Sequence, residues 1–307
     1  MTTVGARIGG FAFFLLVLFP CGRLIADVVT NRPTADTSLF QHDPDNNFGV
    51  GDLVSGTTGG QTKSRALIKF DVSTNIPSGA TITSVTLTLK VTKQPGSRYC
   101  NGGPAPSNFK LYRVLQAWGE GRKSAAQNGA RATVNEADWR FRFATNAPWS
   151  VPGAAAPVDF SPVASGTKLI DTQSSYTFSS TTNMVADVQY WLQNPTNNFG
   201  WIMISTSENT ACTAKRFGSR DAGRLAPLLV VTYTPPPLIT GLQVATNQIS
   251  FGFVAEPQKS YAVQFVDSLS VTNWQILTNF GAQTLGTNYV VTDPIASRQR
   301  FYRVIAP

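Results

Sequence analysis

From Val85 to Thr92 every second residue is apolar: Val85, Leu87, Leu89 and Val91 alternate with Thr86, Thr88, Lys90 and Thr92. Successive side chains of a strand point to opposite faces, so this period of two describes a strand with one face in a core and the other in water. Ala66, Ile68, Phe70 and Val72 repeat the pattern against Leu67, Lys69 and Asp71. Half-buried strands of this kind pair antiparallel. Further strands are expected at Phe109 to Trp118, Trp201 to Ser205 and Leu228 to Tyr233, between stretches rich in Gly, Pro, Asn and Ser. Glu occurs only at 120, 136, 208 and 256, while Thr, Val, Ser, Asn and Gly abound, which disfavours long helices. The expected fold is all-β, a jelly-roll-like antiparallel β-sandwich with one short helix. That helix is placed at about Met184 to Gln193, where Met184, Val185, Val188, Trp191 and Leu192 recur at three- and four-residue steps and Asn194-Pro195 ends the run.

Pro235-Pro236-Pro237 must stop the strand before it, because proline donates no ladder hydrogen bond. The chain is therefore cut there: a larger sandwich over 27–234, a proline linker over 235–238 and a small sandwich of the fibronectin III or immunoglobulin kind over 239–307. The small one is read from alternating runs at Ile249 to Phe253, Tyr261 to Val266, Trp274 to Leu277, Tyr289 to Thr292 and Phe301 to Ile305. At the other end, Arg7 precedes the apolar run Phe11 to Phe19, with Ala26 beyond. A run of about ten apolar residues is too short for a bilayer core of roughly 30 Å and reads as a signal peptide over 1–26, cut after Ala26. The mature protein is then expected to be secreted or at the cell surface, and membrane contact ends with that cleavage.

Losing this segment removes Arg7, Arg23 and no acid, so the formal charge of +8 falls by two and the mature chain stays basic. It keeps only Cys100 and Cys212, and two cysteines in an exported chain point to one disulfide. Closing so long a loop stabilises by about 4 kcal/mol on the loop-entropy argument. Zinc has too few ligands, since His42 is the single imidazole. A Ser-His-Asp arrangement would also need His42, and no Gly-x-Ser-x-Gly elbow presents a serine. The chain is thus expected not to be an enzyme, with a polysaccharide lyase or glycosidase as the weaker alternative.

Binding suits the composition better. Flat aromatic faces pack on sugar rings, and guanidinium forks pair with carboxylates. Two segments combine these groups: Trp118, Arg122, Trp139, Arg140, Arg142 and Trp149 in a Gly/Ala/Asn/Pro-rich stretch, and Lys215, Arg216 and Arg220 further on. Each tryptophan could equally be a core lid, and each arginine solvated or paired. Nucleic acid is disfavoured by export and by the lack of a basic-helix or ribonucleoprotein signature. An acidic polysaccharide or cell-envelope glycan matches the sign of charge. Asp43, Asp45 and Asn47 supply oxygen donors of the kind a structural calcium prefers, although a plain turn has the same composition.

The segments Ala35-Asp36-Thr37, Asn46-Asn47-Phe48-Gly49, Arg65 to Asp71, Ile76 to Ile82, Tyr112-Arg113-Val114, Trp118 to Gly121, Val188 to Leu192, Asn198 to Trp201, Arg216 to Ser219 and Pro227 to Tyr233, in this order and spacing, resemble the DNRLRE-domain family. The resemblance implies a secreted, non-catalytic, jelly-roll-like sandwich, similar to the carbohydrate-binding modules associated with alginate and other polysaccharides. The last 70 or so residues, with Tyr261 to Phe265, Trp274, Thr292 to Pro294 and Arg300 to Val304, resemble small C-terminal sandwich modules of bacterial secreted proteins. The expected function is a secreted carbohydrate-binding or surface-adhesion protein. The alternative is a structural envelope or matrix protein making protein contacts.

Overall fold

The computed structural model describes residues 26–124, 128–270, 273–295 and 299–306. The N-terminal apolar run assigned to the signal peptide lies outside the described residues. The chain divides into two compact units within the proline run, one ending at Pro236 and the other starting at Pro237.

In the larger unit eleven strands make one continuous, curled sheet. They are β1 (Asp27–Asn31), β2 (Pro33–Phe40), β3 (Leu53–Thr57), β4 (Lys63–Phe70), β5 (Thr81–Lys93), β6 (Ser107–Val114), β7 (Phe160–Ile170), β8 (Ser175–Phe178), β9 (Trp201–Ser205), β10 (Lys215–Phe217) and β11 (Leu228–Thr234). One half runs β1-β11-β5, with β8 also on β5; the other runs β4-β9-β6-β7, with β2 also on β4. The short strands β10 and β3 bridge the halves, β10 pairing with β5 and β3, and β3 with β4. All these pairings are antiparallel, so the all-β sandwich expected from the alternation is what forms.

The apolar residues of β5 face inward onto Ile68, Phe70, Phe109, Leu111, Leu229 and Val231 of the facing and neighbouring strands. Helix α1 (Thr182–Gln193) packs into this core through Met184, Val188, Trp191 and Leu192. It starts where Thr181 accepts a hydrogen bond from the Met184 N–H, and Trp191 meets Trp201 edge-on at 4.6 Å.

Several strands carry no plain alternation. In β2, Asp36, Thr37 and Ser38 are buried polar residues. The sixth strand ends at Val114 rather than Trp118, because the Leu115 N–H turns to Asp159 O and the chain leaves the sheet. Between there and Asp159 the described residues cover the outer face of the second half-sheet. Ala137, Trp139, Trp149 and Ala154 pack there on Leu39, Leu67, Val114, Phe160, Ile202 and Ile204, making a second core.

The smaller unit has two three-stranded sheets. Strands β12 (Thr240–Val244), β13 (Gln248–Ala255) and β16 (Thr287–Pro294) form one, and β15 (Gln275–Phe280), β14 (Tyr261–Val266) and β17 (Phe301–Ile305) the other. Phe251, Phe253, Tyr261, Val263, Val291 and Val304 fill the space between them. Buried Asp293 pairs with Arg300 at 2.9 Å and accepts the Tyr302 hydroxyl at 2.7 Å. Burial and that hydrogen bond push the Tyr302 phenol up to about 12.

Candidate functional site

The tryptophan-arginine loop is a structural cover. Trp139 and Trp149 are 6% and 3% exposed, so neither has a face free for a sugar. Trp149 donates its indole N–H to Asp138 O at 3.0 Å, and Trp118, half-buried against the second core, donates to Phe199 O at 2.8 Å. Arg65 pins the loop from the sheet side. Its guanidinium forks onto Glu208 at 2.7 Å, donates to Gly153 O and Ala154 O, and stands 5.6 Å over the Trp139 ring. Two of the loop's arginines are engaged as well. Arg140 pairs with Asp45 at 3.0 Å, and Arg142 donates to Ala117 O at 3.2 Å and stands over Phe143. Arg122 is exposed, its backbone N–H donating to Glu136, and outside this loop Arg220 pairs with Glu120. The aromatic platform expected from the sequence is therefore corrected: its tryptophans stabilise the cover.

The oxygen donors grouped for calcium also have other work. Asn47 is fully buried and donates to Glu120 O at 2.7 Å and Ala137 O at 2.8 Å, while its Oδ1 accepts from Gly49 N and Lys123 N. It is a rivet between a turn and the covering loop, and this corrects its assignment as a metal ligand. Asp45 is paired with Arg140, and Asp43 accepts from Asn128. Among the described residues no group of three or more His, Cys, Asp or Glu could hold a metal ion.

A different place gathers cations beside an aromatic ring. A cleft of about 490 Å³ opens where β10, the end of β5, the turn between β3 and β4 and the loop after β5 meet. Its size falls in the roughly 300–1,000 Å³ range of small-ligand sites. Phe40 and Val54, both buried, supply apolar lining, and Lys93, Arg98, Tyr99 and Arg216 line it further. Tyr99 is 74% exposed, with the Arg98 guanidinium 5.8 Å from its ring. Arg216 lies over Phe48 at 5.8 Å. Among the described lining residues there is no Asp or Glu. Burial depresses the Arg216 guanidinium, and Asp52 acts against that.

Of the second predicted group, then, Arg216 lines this cleft, whereas Arg220 sits elsewhere with Glu120. Lys215 lines it too but is 1% exposed, and its ammonium donates to Ala105 O at 2.8 Å and Thr213 O at 3.3 Å. Burial draws its pKa down to about 8. It ties two loops together and corrects the expectation of a ligand-facing lysine. Sequence reasoning missed Lys93, Arg98 and Tyr99. A signal was present in Arg98-Tyr99-Cys100, a cation and an aromatic placed directly beside a disulfide cysteine.

Cys100 and Cys212 are joined, as the cysteine count implied. No helix among the described residues is long and apolar enough to cross a membrane. No protein-family model matches the chain, and no curated protein is detectably similar. Among solved structures, the glycoside hydrolase domain of Endo-D from Streptococcus pneumoniae R6 aligns over 92% of this chain at 8% identity, with a TM-score of 0.14. The chain spans 34% of the length of that solved chain. A likeness this slight carries no argument about function.

Proposed function

We propose that the chain is an exported, non-catalytic binding protein whose larger unit holds an acidic polysaccharide in the cleft beside the disulfide. The observation that carries this reading is the lining itself. Lys93, Arg98 and Arg216 line the same cleft as an exposed tyrosine, with no described carboxylate among the lining residues. Guanidinium forks hold carboxylates or sulfates in two-point hydrogen bonds, and a phenol ring offers a flat face to the C–H side of a sugar. The basic charge of the chain favours the same sign of ligand. A disulfide fits an oxidising compartment, and the ordered motifs resembling DNRLRE-domain proteins point the same way.

Affinity electrophoresis through gels holding alginate, polygalacturonate, a sulfated polysaccharide or a neutral glucan tests it. Retention is expected on at least one polyanion and not on the neutral polymer. Replacing Arg98 and Tyr99 together by Ala should weaken it about tenfold or more, a loss of at least about 1.4 kcal/mol. Both residues are exposed, so folding should change by under about 0.5 kcal/mol. No retention on any polymer would sink the reading, and new unsaturated uronate ends after incubation would overturn its non-catalytic part.

A further inference from the structure

Residues 96–106 form most of the loop between β5 and β6, and Cys100 alone among them is buried. Arg98 and Tyr99 immediately precede it, so the part of the cleft wall that carries both is tied across through this sulfur, while the end of the same loop is held at Ala105, by Cys212 O and the Lys215 ammonium. The hydrogen bonds described within 96–103 are local: the Tyr99 and Cys100 N–H groups go to Gly96 O, and the Gly103 N–H goes to Cys100 O. The disulfide reaches across to Cys212, whose N–H donates to Thr58 O and whose carbonyl accepts from the Ala105 N–H. Three walls thus converge at this bond: the Arg98-Tyr99 loop, the Thr58-Gly59 turn and the segment leading into β10. The turn also sits tightly on the loop, because a Cβ at Gly59 would fall 2.4 Å from Tyr99 O.

The two main cores lie elsewhere. Neither contains a residue from 94–106, and Cys212 is in neither. A segment with few buried contacts opens locally well before the whole unit unfolds.

We propose that the Cys100–Cys212 disulfide is a positioning element of the ligand cleft, holding Arg98 and Tyr99 against the Thr58-Gly59 turn, so that its reduction releases bound polyanion while the sandwich stays folded. The proposal rests on the cleft being the ligand site. A dithiol reductant supplies the two electrons and two protons needed, giving two cysteine thiols and its own cyclic disulfide.

The test uses the full chain, oxidised, reduced with dithiothreitol, and reoxidised, with the polyanion that retains the oxidised form as probe. Amide exchange mapped by mass spectrometry is run alongside without any polymer. Exchange over residues 96–103 should quicken about tenfold or more on reduction while β5, β9 and β11 stay protected, and the melt should remain cooperative. Retention should fall about tenfold and return on reoxidation. Gly59→Ala, with the disulfide intact, should weaken retention too, because it pushes the Tyr99 carbonyl off the turn.

Unchanged exchange over 96–103, unchanged retention after reduction, or loss of protection throughout the large unit would each overturn the proposal. So would wild-type retention by Gly59→Ala. If the oxidised protein binds no polyanion, the cleft reading fails by itself, and the exchange data still decide whether the disulfide holds the wall.

Discussion

Asp36 shows how the setting of a single residue is decided by parts of the chain far from it in sequence. It lies in β2 with no exposed surface, beside Glu120 and Arg220. Its Oδ2 accepts the Arg220 N–H at 2.7 Å, and its own N–H donates to Glu120 Oε1, but its Oδ1 has no hydrogen-bond partner among the described residues. Burial, with Glu120 and Asp221 adding repulsion, raises its pKa from 3.8 to about 7, against the pull of Arg220. A carboxylic acid whose folded pKa is raised favours the fold while it is protonated. That contribution is complete below about pH 4 and is lost as pH rises through about 7. Asp36→Asn removes the titration. The melting temperature of the wild type relative to this variant should therefore decline between pH 4 and pH 8, by an amount matching a few kcal/mol. Parallel profiles would show that Asp36 does not titrate in this window. The alternation that revealed β5 could not reveal β2, since a buried Asp-Thr-Ser triplet breaks the apolar rhythm and its burial is decided by Glu120 and Arg220, far away in the chain.

At the scale of elements, the loop from Leu115 to Asp159 is where sequence and structure part. Its Gly, Pro, Ala and Asn content identifies a loop correctly, and composition says nothing about which way a loop's tryptophans point. Burial here follows from tertiary partners: Arg65 of β4 pinning Gly153 and Ala154, Asn47 riveting Glu120 and Ala137, and Asp159 accepting from Ser150 and Ala155. Trp191 and Trp201 were legible as core residues because one lies on the apolar stripe of a helix and the other within a strand. Because Trp139 is a core residue, Trp139→Ala should cost about 3 to 5 kcal/mol. In a unit of this size that lowers the melting temperature by roughly ten degrees, at about 2–4 °C per kcal/mol. Polymer retention below the new transition should be unchanged, because Trp139 does not line the cleft. A stable Trp139→Ala protein that no longer binds would return the site to this loop.

For the whole molecule, the division at the proline run was legible because proline both ends a strand and stiffens a linker. The two units differ in how much core they can build. Among the described residues the larger has three hydrophobic clusters and a disulfide, and every described residue that lines the cleft lies in it. A domain of about 200 residues buries close to 70% of the surface its unfolded chain exposes, whereas one of about 70 buries nearer 60% and is marginal. The smaller unit offsets this with aromatic packing of Phe253 on Tyr261, Phe280 and Tyr289, and with Arg300 stacked 4.1 Å over Phe265 while bonded to Asp267 and Asp293. Produced separately and oxidised, residues 27–236 should fold cooperatively and keep the polyanion retention of the full chain. Residues 237–307 should show no retention and melt at the lower temperature. Raising ionic strength should weaken retention of the large unit, as screening shortens to about 8 Å at 0.15 M and further above it, and the lost affinity should return on dilution. Binding by the small unit alone, or a large unit that folds yet binds only when the small one is attached, would place the determinant of recognition after Pro236.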